Sequence, residues 1–304
     1  MKAVAAAYGV ELKGVELAEA CQWVENVIAQ SACGIMDQIA VVLGDEGFIL
    51  PLLCQPCLPQ PLVRLPEGLA CWAIDSGVRH MVSGLEYEAA RAAAFMGYKL
   101  ICDREKIQVR RDGDGQIPRW TDSRWSGYLA NVSPSLFRSR FEAWLPEALT
   151  GAEYLRQGQM HVDPFTVVRP EVSYPVRACT RYAVEENFRV NLFAKLAQGD
   201  TGFEQLGELM YQSHQAYTEC GLGTEATDLI VEFVRQEGVG QGLLGAKITG
   251  GGAGGTVAVL GRSEAKPAFD RVVRRYAKAR GSTPYVFEGS SPGADRFGVR
   301  THCG

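Results

Sequence analysis

The sequence lacks the features that mark membrane proteins, nucleic-acid-binding proteins and disulfide-stabilised proteins. None of its apolar runs reaches the length of a membrane span, and residues 1–14 have neither the basic end nor the apolar core of a signal peptide. Its net charge is only −4, which gives no general attraction to nucleic acid or to anionic lipid. We therefore expect a cytoplasmic globular protein whose partners include neither nucleic acid nor a membrane.

Clusters of metal ligands are also scarce. The nine cysteines are odd in number and scattered along the chain, which favours reduced thiols over a disulfide framework. Cys54 and Cys57 form one Cys-X-X-Cys pair, but no second pair follows at the spacing of a zinc site, and the four histidines lie far apart. Chance spacing in a loop is therefore favoured over a thiolate metal site, and we predict no metal-ligating residue.

Helices and strands alternate along the sequence. Hydrophobic spacing predicts helices at residues 10–31, 85–98, 179–198, 202–219, 224–237 and 263–280. Strands are predicted at residues 47–53, 70–78 and 284–289, and on both sides of a glycine-rich stretch. This alternation indicates an α+β or α/β fold, and 304 residues suit one large domain or two ordinary ones.

The glycine-rich stretch GAKITGGGAGGTVAVLG carries seven glycines in the seventeen positions from 245 to 261. Glycine is costly to order, so such a cluster indicates tight turns or the close approach of a ligand. Freed backbone amides can form a concave site for phosphate. The stretch matches neither of the usual nucleotide-binding glycine motifs, so a glycine-rich hairpin with a packing role is an equally good interpretation of the pattern alone.

Asp37 is a candidate catalytic carboxylate. It stands in the apolar sequence GIMDQ, where desolvation and neighbouring cations would tune its pKa. The alternative is a helix N-cap or a buried aspartate bonded to backbone amides, and the spacing alone favours that alternative.

A second group of polar residues surrounds the end of a predicted strand. It comprises Asp75, Arg79, His80, Glu86 and Tyr87 in the segments AIDSGVRH and GLEYEAAR. Strand ends followed by loops are common positions for small-molecule sites. Taken by itself, however, the group is better interpreted as an ordinary polar connection between a strand and a helix.

Taken together, several segments resemble one family, the GHMP kinases. ENVIAQSACGIMDQ, DSGVRH followed by EYEAAR, and GAKITGGGAGG occur in the order and at about the spacing found in that family. Within it the sequence is most similar to the galactokinase branch and, inside that branch, to the L-arabinokinases. The resemblance extends over essentially the whole chain, through AFMGYKLI, LPEALTGAEYL, DPFTVV, YAVEENFRV, ECGLGTEATD and PYVFEGSSPGA.

The resemblance implies an α+β fold with two lobes. Residues 1–66 would be the remnant of an N-terminal GHMP kinase domain, so that this lobe is incomplete. Residues 67–304 would form the C-terminal domain, a ferredoxin-like antiparallel sheet with helices. A sugar and ATP would meet in the cleft between the lobes.

The resemblance also implies a reaction: the ATP γ-phosphoryl group passes to the anomeric hydroxyl of an aldose, with L-arabinose favoured over D-galactose and with Mg²⁺ bridging the phosphates. Asp37 matches the family's catalytic aspartate, which accepts or orients the proton of the attacking hydroxyl. Gly34 and Met36 belong to the loop that presents it, Tyr87 matches a tyrosine that contacts the sugar, and Asp75 stands where galactokinases commonly have asparagine. The motif expected near the ATP phosphates is matched by Gly250, Gly251, Gly252, Gly254 and Gly255.

Two earlier motifs of the family have no counterpart in the sequence. One is an N-terminal strand and loop with an arginine and an acidic residue near the sugar. The other is a Pro/Gly/Ser-rich loop that would hold the ATP phosphates. Residues 1–12 resemble the body of the helix that follows this second loop, so Met1 is expected to be an internal methionine of a longer protein. The chain alone is therefore expected to bind ATP poorly and to phosphorylate little.

Two alternatives stay open. Another GHMP kinase, such as a mevalonate or heptose kinase, is less favoured because EYEAAR and GIMDQ match the galactokinase side. A non-catalytic relative that binds a sugar or a partner protein would account for the missing phosphate loop. The sequence predicts neither the preferred sugar epimer, which a few side chains decide, nor the oligomeric state.

Overall fold

A computed structural model describes residues 1–79, 85–112, 119–157 and 160–300. Within these ranges the helices are α1 (Lys2–Ala7), α2 (Gly14–Trp23), α3 (Met36–Leu43), α4 (Leu85–Arg104), α5 (Pro134–Phe137), α6 (Gly151–Arg156), α7 (Val176–Leu196), α8 (Phe203–Glu219), α9 (Glu225–Glu237), α10 (Lys266–Arg280) and α11 (Ala294–Phe297). The strands are β1 (Phe48–Ile49), β2 (Leu52–Leu53), β3 (Leu58–Pro59), β4 (Val63–Arg64), β5 (Leu69–Asp75), β6 (Arg110–Asp112), β7 (Arg119–Thr121), β8 (Leu149–Thr150), β9 (Ser173–Tyr174), β10 (Leu243–Ile248), β11 (Thr256–Arg262) and β12 (Val286–Glu288). No helix among the described residues is long and apolar enough to cross a membrane.

The C-terminal part of the chain is built on an antiparallel sheet with the strand order β10-β11-β5-β12. The chain leaves β5, passes through helices to the β10–β11 hairpin, and returns through α10 to β12, which pairs with β5. This is the β-α-β-β-α-β order of ferredoxin-like folds. The prediction of an α+β fold with a ferredoxin-like C-terminal sheet is confirmed.

One face of this sheet is covered by α9 and α10. Alternate residues of its strands point to that side, and Trp72, Ile74 and Val259 are buried there. Phe269 of α10 stacks on Trp72 with the ring centroids 5.0 Å apart. This apolar layer packs α9 and α10 against β5 and β11.

On the other face, α8 touches β10 through backbone atoms. A Cβ atom added to Gly207 would lie 1.9 Å from the Leu244 carbonyl oxygen, and one added to Gly245 would lie 2.4 Å from the Gly207 Cα. A side chain at either glycine would therefore push the helix away from the strand, because protein interiors have no spare volume. The close contact fixes α8, and with it Tyr217 near the C-terminal end of that helix.

A second apolar core joins α4 and α7 to the segment between residues 125 and 176. The two long helices cross at a glycine, since a Cβ atom on Gly97 would lie 1.8 Å from Thr180 Oγ1. Phe137, Phe141 and Tyr154 are fully buried beside them. This helical layer supports α4, which carries Tyr87 in its first turn.

Helices α2 and α3 form a smaller core of their own, in which Ile39 is fully buried. The C-terminal segment fastens this pair of helices. The amide of Gly293 donates to the Gly44 carbonyl at 2.7 Å, and Asp295 accepts a hydrogen bond from the Gly14 amide at 2.5 Å. The two ends of the described chain are therefore packed together.

The predicted helices are present with shifted ends. The helix predicted at residues 10–31 begins at Gly14 and ends in a π-helical turn, Val24–Ile28. The division into residues 1–66 and 67–304 stays a prediction. Residues of α2 and α3 share one core, whereas β1 and β4 contribute to the core formed by α7 and α8.

Candidate active site

Asp37 lies in the first turn of α3 with its side chain exposed. The helix forms here because Ile39 and Val42 supply a buried face toward α2. The residue at the N-cap position is Ile35, so Asp37 is neither the N-cap nor a buried aspartate. A carboxylate in a first turn is favoured by the helix dipole, and an exposed one is available to a ligand.

Side chains hold the loop that precedes Asp37. Asn26 binds both polar groups of Cys33: its Oδ1 accepts from the Cys33 amide at 2.9 Å, and its Nδ2 donates to the Cys33 carbonyl at 3.4 Å. Gln22 Nε2 donates to the same carbonyl at 3.3 Å. Because Asn26 is buried, this pairing fixes the backbone four residues before the catalytic candidate.

Arg91 fastens the same loop from α4. Its Nη1 donates to the Cys33 carbonyl at 3.1 Å, while its Nε and Nη2 donate to the two oxygens of Asp163 at 2.8 and 3.0 Å. Burial by itself would lower the pKa of Arg91. The hydrogen bonds and the negative charge of Asp163 act in the opposite direction, and the net result is a raised pKa. Burial would also raise the pKa of Asp163, yet Arg91 and Thr166 together hold that pKa below its ordinary value.

Tyr87 lies one helical turn before Arg91 and is half-buried. Its hydroxyl is 3.7 Å from the position that a Cβ atom would take on Gly34. It is also close enough to Arg91 to contribute, after Asp163, to the raised pKa of the guanidinium. The structure thus brings Tyr87 and Gly34 together, and Met36 is 44% exposed two residues after Gly34.

The glycine turn, residues 249–255, joins β10 to β11 with backbone angles that side chains disfavour. Positive φ angles occur at Gly250, Gly252, Gly254 and Gly255. A Cβ atom on Gly252 would lie 2.7 Å from the Leu222 Cβ, and one on Gly254, whose φ is +127°, would lie 2.6 Å from the Val78 carbonyl oxygen. The glycines are therefore required both by conformation and by close approach of the backbone.

The same turn leaves backbone amides available. The Ala253 amide donates to the Leu222 carbonyl at 2.7 Å, and the Gly255 amide donates to the Val78 carbonyl at 2.9 Å. Within the described part of the chain, the other amides have no hydrogen-bond acceptor; they belong to Gly250, Gly251, Gly252 and Gly254. Adjacent unbonded amides of this kind can hold the oxygens of an anion such as phosphate.

Tyr217 connects the glycine turn with the side of the site that carries Asp37. Its hydroxyl donates to the Gly250 carbonyl at 2.8 Å, and its ring edge lies 2.8 Å from the Cβ position of Gly252. Burial is the main cause that raises the pKa of Tyr217, followed by Tyr87, with a smaller contribution from the Asp37 carboxylate. Such effects weaken with distance, so Tyr87 and Asp37 lie within electrostatic reach of the Tyr217 hydroxyl.

Asp75 lies at the other edge of the glycine turn. It ends β5, and the amide of the next residue donates to the Gly255 carbonyl at 2.9 Å. Its Oδ1 accepts from the Gly77 amide at 2.8 Å. Among the described residues no hydrogen bond joins Asp75 to Tyr87, and His80, from the same predicted group, lies outside those residues. The structure thus associates Asp75 with the turn.

The turn from Cys54 to Cys57 closes the β2–β3 hairpin near Asp37. Desolvation is the main cause that raises the pKa of Cys54 to about 11, with smaller effects of Cys57 and Asp37. A thiol with this pKa is protonated at neutral pH. In the ranges that the structure describes, no three His, Cys, Asp or Glu side chains are grouped as a metal site.

Two family models match the sequence. The N-terminal domain of the GHMP kinases matches residues 1–45, and the C-terminal domain matches residues 192–278. The chain is also 37% identical, over 98% of its length, to an L-arabinokinase of Arabidopsis thaliana. The chain belongs to the GHMP kinase family. The first match contains Asp37, and the second contains Tyr217 and the glycine turn.

The chain spans only part of the length of the relatives that it matches. It is 30% identical, over 90% of its length, to a galactokinase of Chloroflexus aggregans. It spans 31% of the length of the Arabidopsis L-arabinokinase and 58% of that galactokinase. The activities of these longer relatives are therefore only proposed for this chain.

Solved structures share its fold. A Lactococcus lactis galactokinase complexed with galactose superimposes with a TM-score of 0.72 at 18% identity, covering 96% of this chain and 63% of that one. An L. major mevalonate kinase in complex with R-mevalonate gives a TM-score of 0.50 at 13% identity, covering 95% of this chain and 62% of that one. At these identities the likeness shows the fold alone, and it confirms the predicted GHMP-kinase-like fold.

Sequence reasoning missed three residues that hold the site together: Asn26, Arg91 and Tyr217. Arg91 follows Tyr87 by four residues in EYEAAR, and on a helix that spacing makes the two side chains neighbours. This four-residue spacing is the sequence signal that could have predicted a role for Arg91. Asn26 and Tyr217 carry no such local signal, because their partners lie in other elements.

Proposed function

We propose that this GHMP kinase transfers the γ-phosphoryl group of ATP to the anomeric hydroxyl of an aldose, with L-arabinose ahead of D-galactose, and that it works in the cytoplasm. The observation that carries the proposal is the position of Tyr217. It bonds to Gly250 of the glycine turn and lies within electrostatic reach of Asp37. The exposed carboxylate and the unbonded amides would therefore serve one reaction. The L-arabinokinase and galactokinase relatives suggest the substrate class.

In this proposal Asp37 orients the attacking hydroxyl and accepts its proton. Phosphoryl transfer depends on positioning and charge neutralisation more than on covalent catalysis, and a placed general base typically contributes about 10²- to 10⁴-fold. The exposed position of Asp37 on a helix start leaves both carboxylate oxygens open to a sugar hydroxyl.

The glycine turn would receive the ATP phosphates. The amides of Gly250, Gly251, Gly252 and Gly254 are its unbonded donors, and the bond from Gly255 to Val78 would keep the turn in place. Mg²⁺ prefers oxygen ligands and is commonly held by one or two carboxylates together with substrate phosphates. The ion would be held by the phosphates that the glycine turn receives, and it would neutralise their charge.

Tyr87, Gly34 and Met36 would form the sugar side of the site. A tyrosine supplies an apolar ring face and a hydroxyl that can bond to the sugar. Gly34 keeps room beside that hydroxyl, because a Cβ atom would lie 3.7 Å from it. Asp75 is the remaining proposed sugar contact. Its Oδ1 is engaged by Gly77, so its Oδ2 would make the contact.

The proposal is tested by measuring ADP release with L-arabinose, with D-galactose and without sugar. We expect release to depend on sugar and to be fastest with L-arabinose. Asp37→Asn should lower it by about 10²- to 10⁴-fold with an unchanged melting temperature, because the side chain is exposed. Glu16→Gln, an exposed carboxylate in the first turn of α2, is the matched control. Full sugar-dependent ADP release by Asp37→Asn would overturn the proposal.

We also propose that turnover by the 304-residue chain is slow, because its sequence contains no Pro/Gly/Ser-rich phosphate loop of the family type. The same assay on a longer chain that carries such a loop ahead of residue 1 should give faster release. Robust activity of the short form would refute this part.

The second candidate function is a non-catalytic sugar-binding relative, which the missing loop favours. It requires sugar binding by calorimetry that ATP does not affect, and no ADP release by either form.

A further inference from the structure

One guanidinium group contacts both elements that we assign to the sugar. Arg91 Nη1 donates to the carbonyl of Cys33, the residue before Gly34, at 3.1 Å. The same side chain lies beside the hydroxyl of Tyr87, one helical turn earlier on α4. Arg91, which has no role in the transfer step itself, therefore links the loop at Gly34 to Tyr87.

Asp163 fixes the direction of that guanidinium. Its two oxygens accept from Arg91 Nε and Nη2 at 2.8 and 3.0 Å, and its side chain is 0% exposed. Thr166 Oγ1 also donates to Asp163 Oδ2 at 2.7 Å. A paired arrangement of this kind holds the guanidinium plane and aims Nη1 at Cys33, which the single ammonium of lysine would not reproduce.

Aromatic rings shield the pair from water. Arg91 lies 5.6 Å from the ring centre of Phe95 and 5.8 Å from that of Phe165. Its own side chain is 12% exposed. In such surroundings hydrogen bonds to a charged group are stronger than in water, so we expect the arrangement to be rigid.

We infer that Arg91, anchored by Asp163, is a positioning residue that sets the width of the sugar pocket. It does so by holding the loop before Asp37 at a fixed distance from Tyr87. The inference rests on the proposed function and adds a specific consequence. Loss of Arg91 should weaken sugar binding and leave ATP binding nearly unchanged, because Leu222 and Val78 hold the glycine turn through its backbone.

The test is calorimetric binding of L-arabinose and of ATP, each alone, to the whole chain and its variants. Arg91→Lys should raise the dissociation constant of L-arabinose at least about tenfold, the size expected for one charge-assisted hydrogen bond, and change that of ATP less than about twofold. Arg177→Lys is the matched control. Arg177 donates twice to the Leu145 carbonyl, at 2.9 and 2.6 Å, in the same helical layer, and its replacement should leave sugar binding unchanged.

A double variant separates positioning from stability. A buried ion pair can often be replaced by apolar side chains of similar volume without loss of stability, so Arg91→Met with Asp163→Leu should fold even if Arg91→Lys does not. The double variant has no guanidinium group to bond to the Cys33 carbonyl. We expect it to melt within a few degrees of the original chain and to bind L-arabinose at least about tenfold more weakly, the loss of that same bond.

The outcomes are distinct. If the unaltered chain binds no aldose, the proposed function fails and this inference fails with it. If the unaltered chain binds L-arabinose and the folded double variant binds it equally well, the proposed function stands and the positioning role of Arg91 is wrong. Equal weakening of sugar and ATP binding would also overturn it, because that result indicates general damage to the fold.

Discussion

The two sides of the candidate site are held in place by different means. The aspartate loop, residues 33–37, is fixed by side chains: Asn26 and Arg91 both bond to its first residue. The glycine turn is fixed by main-chain bonds to Leu222 and Val78. The aspartate loop keeps its position through side chains of other elements. The glycine turn keeps its shape because its glycines have no side chains.

The difference matches what each side is proposed to bind. Phosphates are the same in every ATP molecule, and backbone amides suffice to hold them. Aldoses differ by the orientation of single hydroxyl groups, which side chains discriminate. A side held by replaceable side chains can be adjusted by substitution, whereas a side held by the backbone loses its shape when a Cβ atom is added.

The largest effect on stability should come from a substitution in the glycine turn, which is the backbone-held side of the site. Gly254→Ala forces a Cβ atom to within 2.6 Å of the Val78 carbonyl at a φ of +127°, so we expect a loss of more than about 3 kcal/mol in the free energy of unfolding. Gly250→Ala is the control, since its φ is +63° and nothing lies within 4 Å of its Cβ position; about 1 kcal/mol is expected there. Urea denaturation measures both. Equal losses would contradict the close-packing argument.

A substitution that releases the aspartate loop, which is the side-chain-held side of the site, should lower the stability less. Asn26→Ala removes both bonds to Cys33 and leaves the Cys33 amide without its partner, which we expect to lower the free energy of unfolding by about 1–3 kcal/mol and to weaken L-arabinose binding. Gln22→Ala is the control, because the Cys33 carbonyl keeps its bonds from Asn26 and Arg91. If the two variants lose the same stability, Asn26 is not the main support of the loop.

The backbone-held side was the more predictable of the two. The strand–glycine–strand order of residues 243–262 is visible in the sequence, because glycine has few uses besides turns and close approach, and the structure places β10 and β11 where the pattern indicates them. Sequence alone did not decide between a phosphate site and a packing hairpin. The turn does pack, against Leu222 and Val78, and it also keeps unbonded amides.

The side-chain-held side was predictable only in part. Asp37, Gly34 and Tyr87 were found through the family resemblance. Asp37 was not expected from spacing alone, since an exposed carboxylate in a first helical turn has the same local pattern as a structural one. Arg91 and Asp163 are 72 residues apart in the sequence, and no local rule brings two such positions together. Their pairing follows from how α4 packs in the helical layer.

Removing the Tyr217 hydroxyl should have a smaller effect, and it tests whether Tyr217 links the two sides of the site. Tyr217→Phe keeps the ring against Gly252 but removes the hydroxyl bond to Gly250. We expect a loss of about 1 kcal/mol in the free energy of unfolding and weaker ATP binding, because the glycine turn becomes less well fixed. Tyr211→Phe, whose buried hydroxyl has no hydrogen-bond partner among the described residues, is the control. Unchanged ATP affinity in Tyr217→Phe would separate Tyr217 from the phosphate side.

The smallest effect is a pH dependence on the backbone-held side. His214 Nδ1 accepts from the Ile248 amide, just before the glycine turn, at 3.4 Å, and its Nε2 lies 3.1 Å from Asp228. Burial is the main cause that lowers the pKa of His214 below 6.5, against the opposing effect of Asp228. Below pH 6.5 the unfolded chain therefore binds more protons than the folded one, so stability present above that pH is lost as the pH falls.

For this histidine the loss should stay below about 1 kcal/mol between about pH 7.5 and pH 6. His214→Asn retains an acceptor near the position of Nδ1 and removes the titrating ring, so denaturation curves of the variant should fall less steeply with decreasing pH. Burial also lowers the pKa of His161, and that contribution remains in both proteins. If His214→Asn loses stability with pH as steeply as the unaltered chain, the neutral imidazole at Ile248 does not support the glycine turn, and that side depends on its main-chain bonds alone.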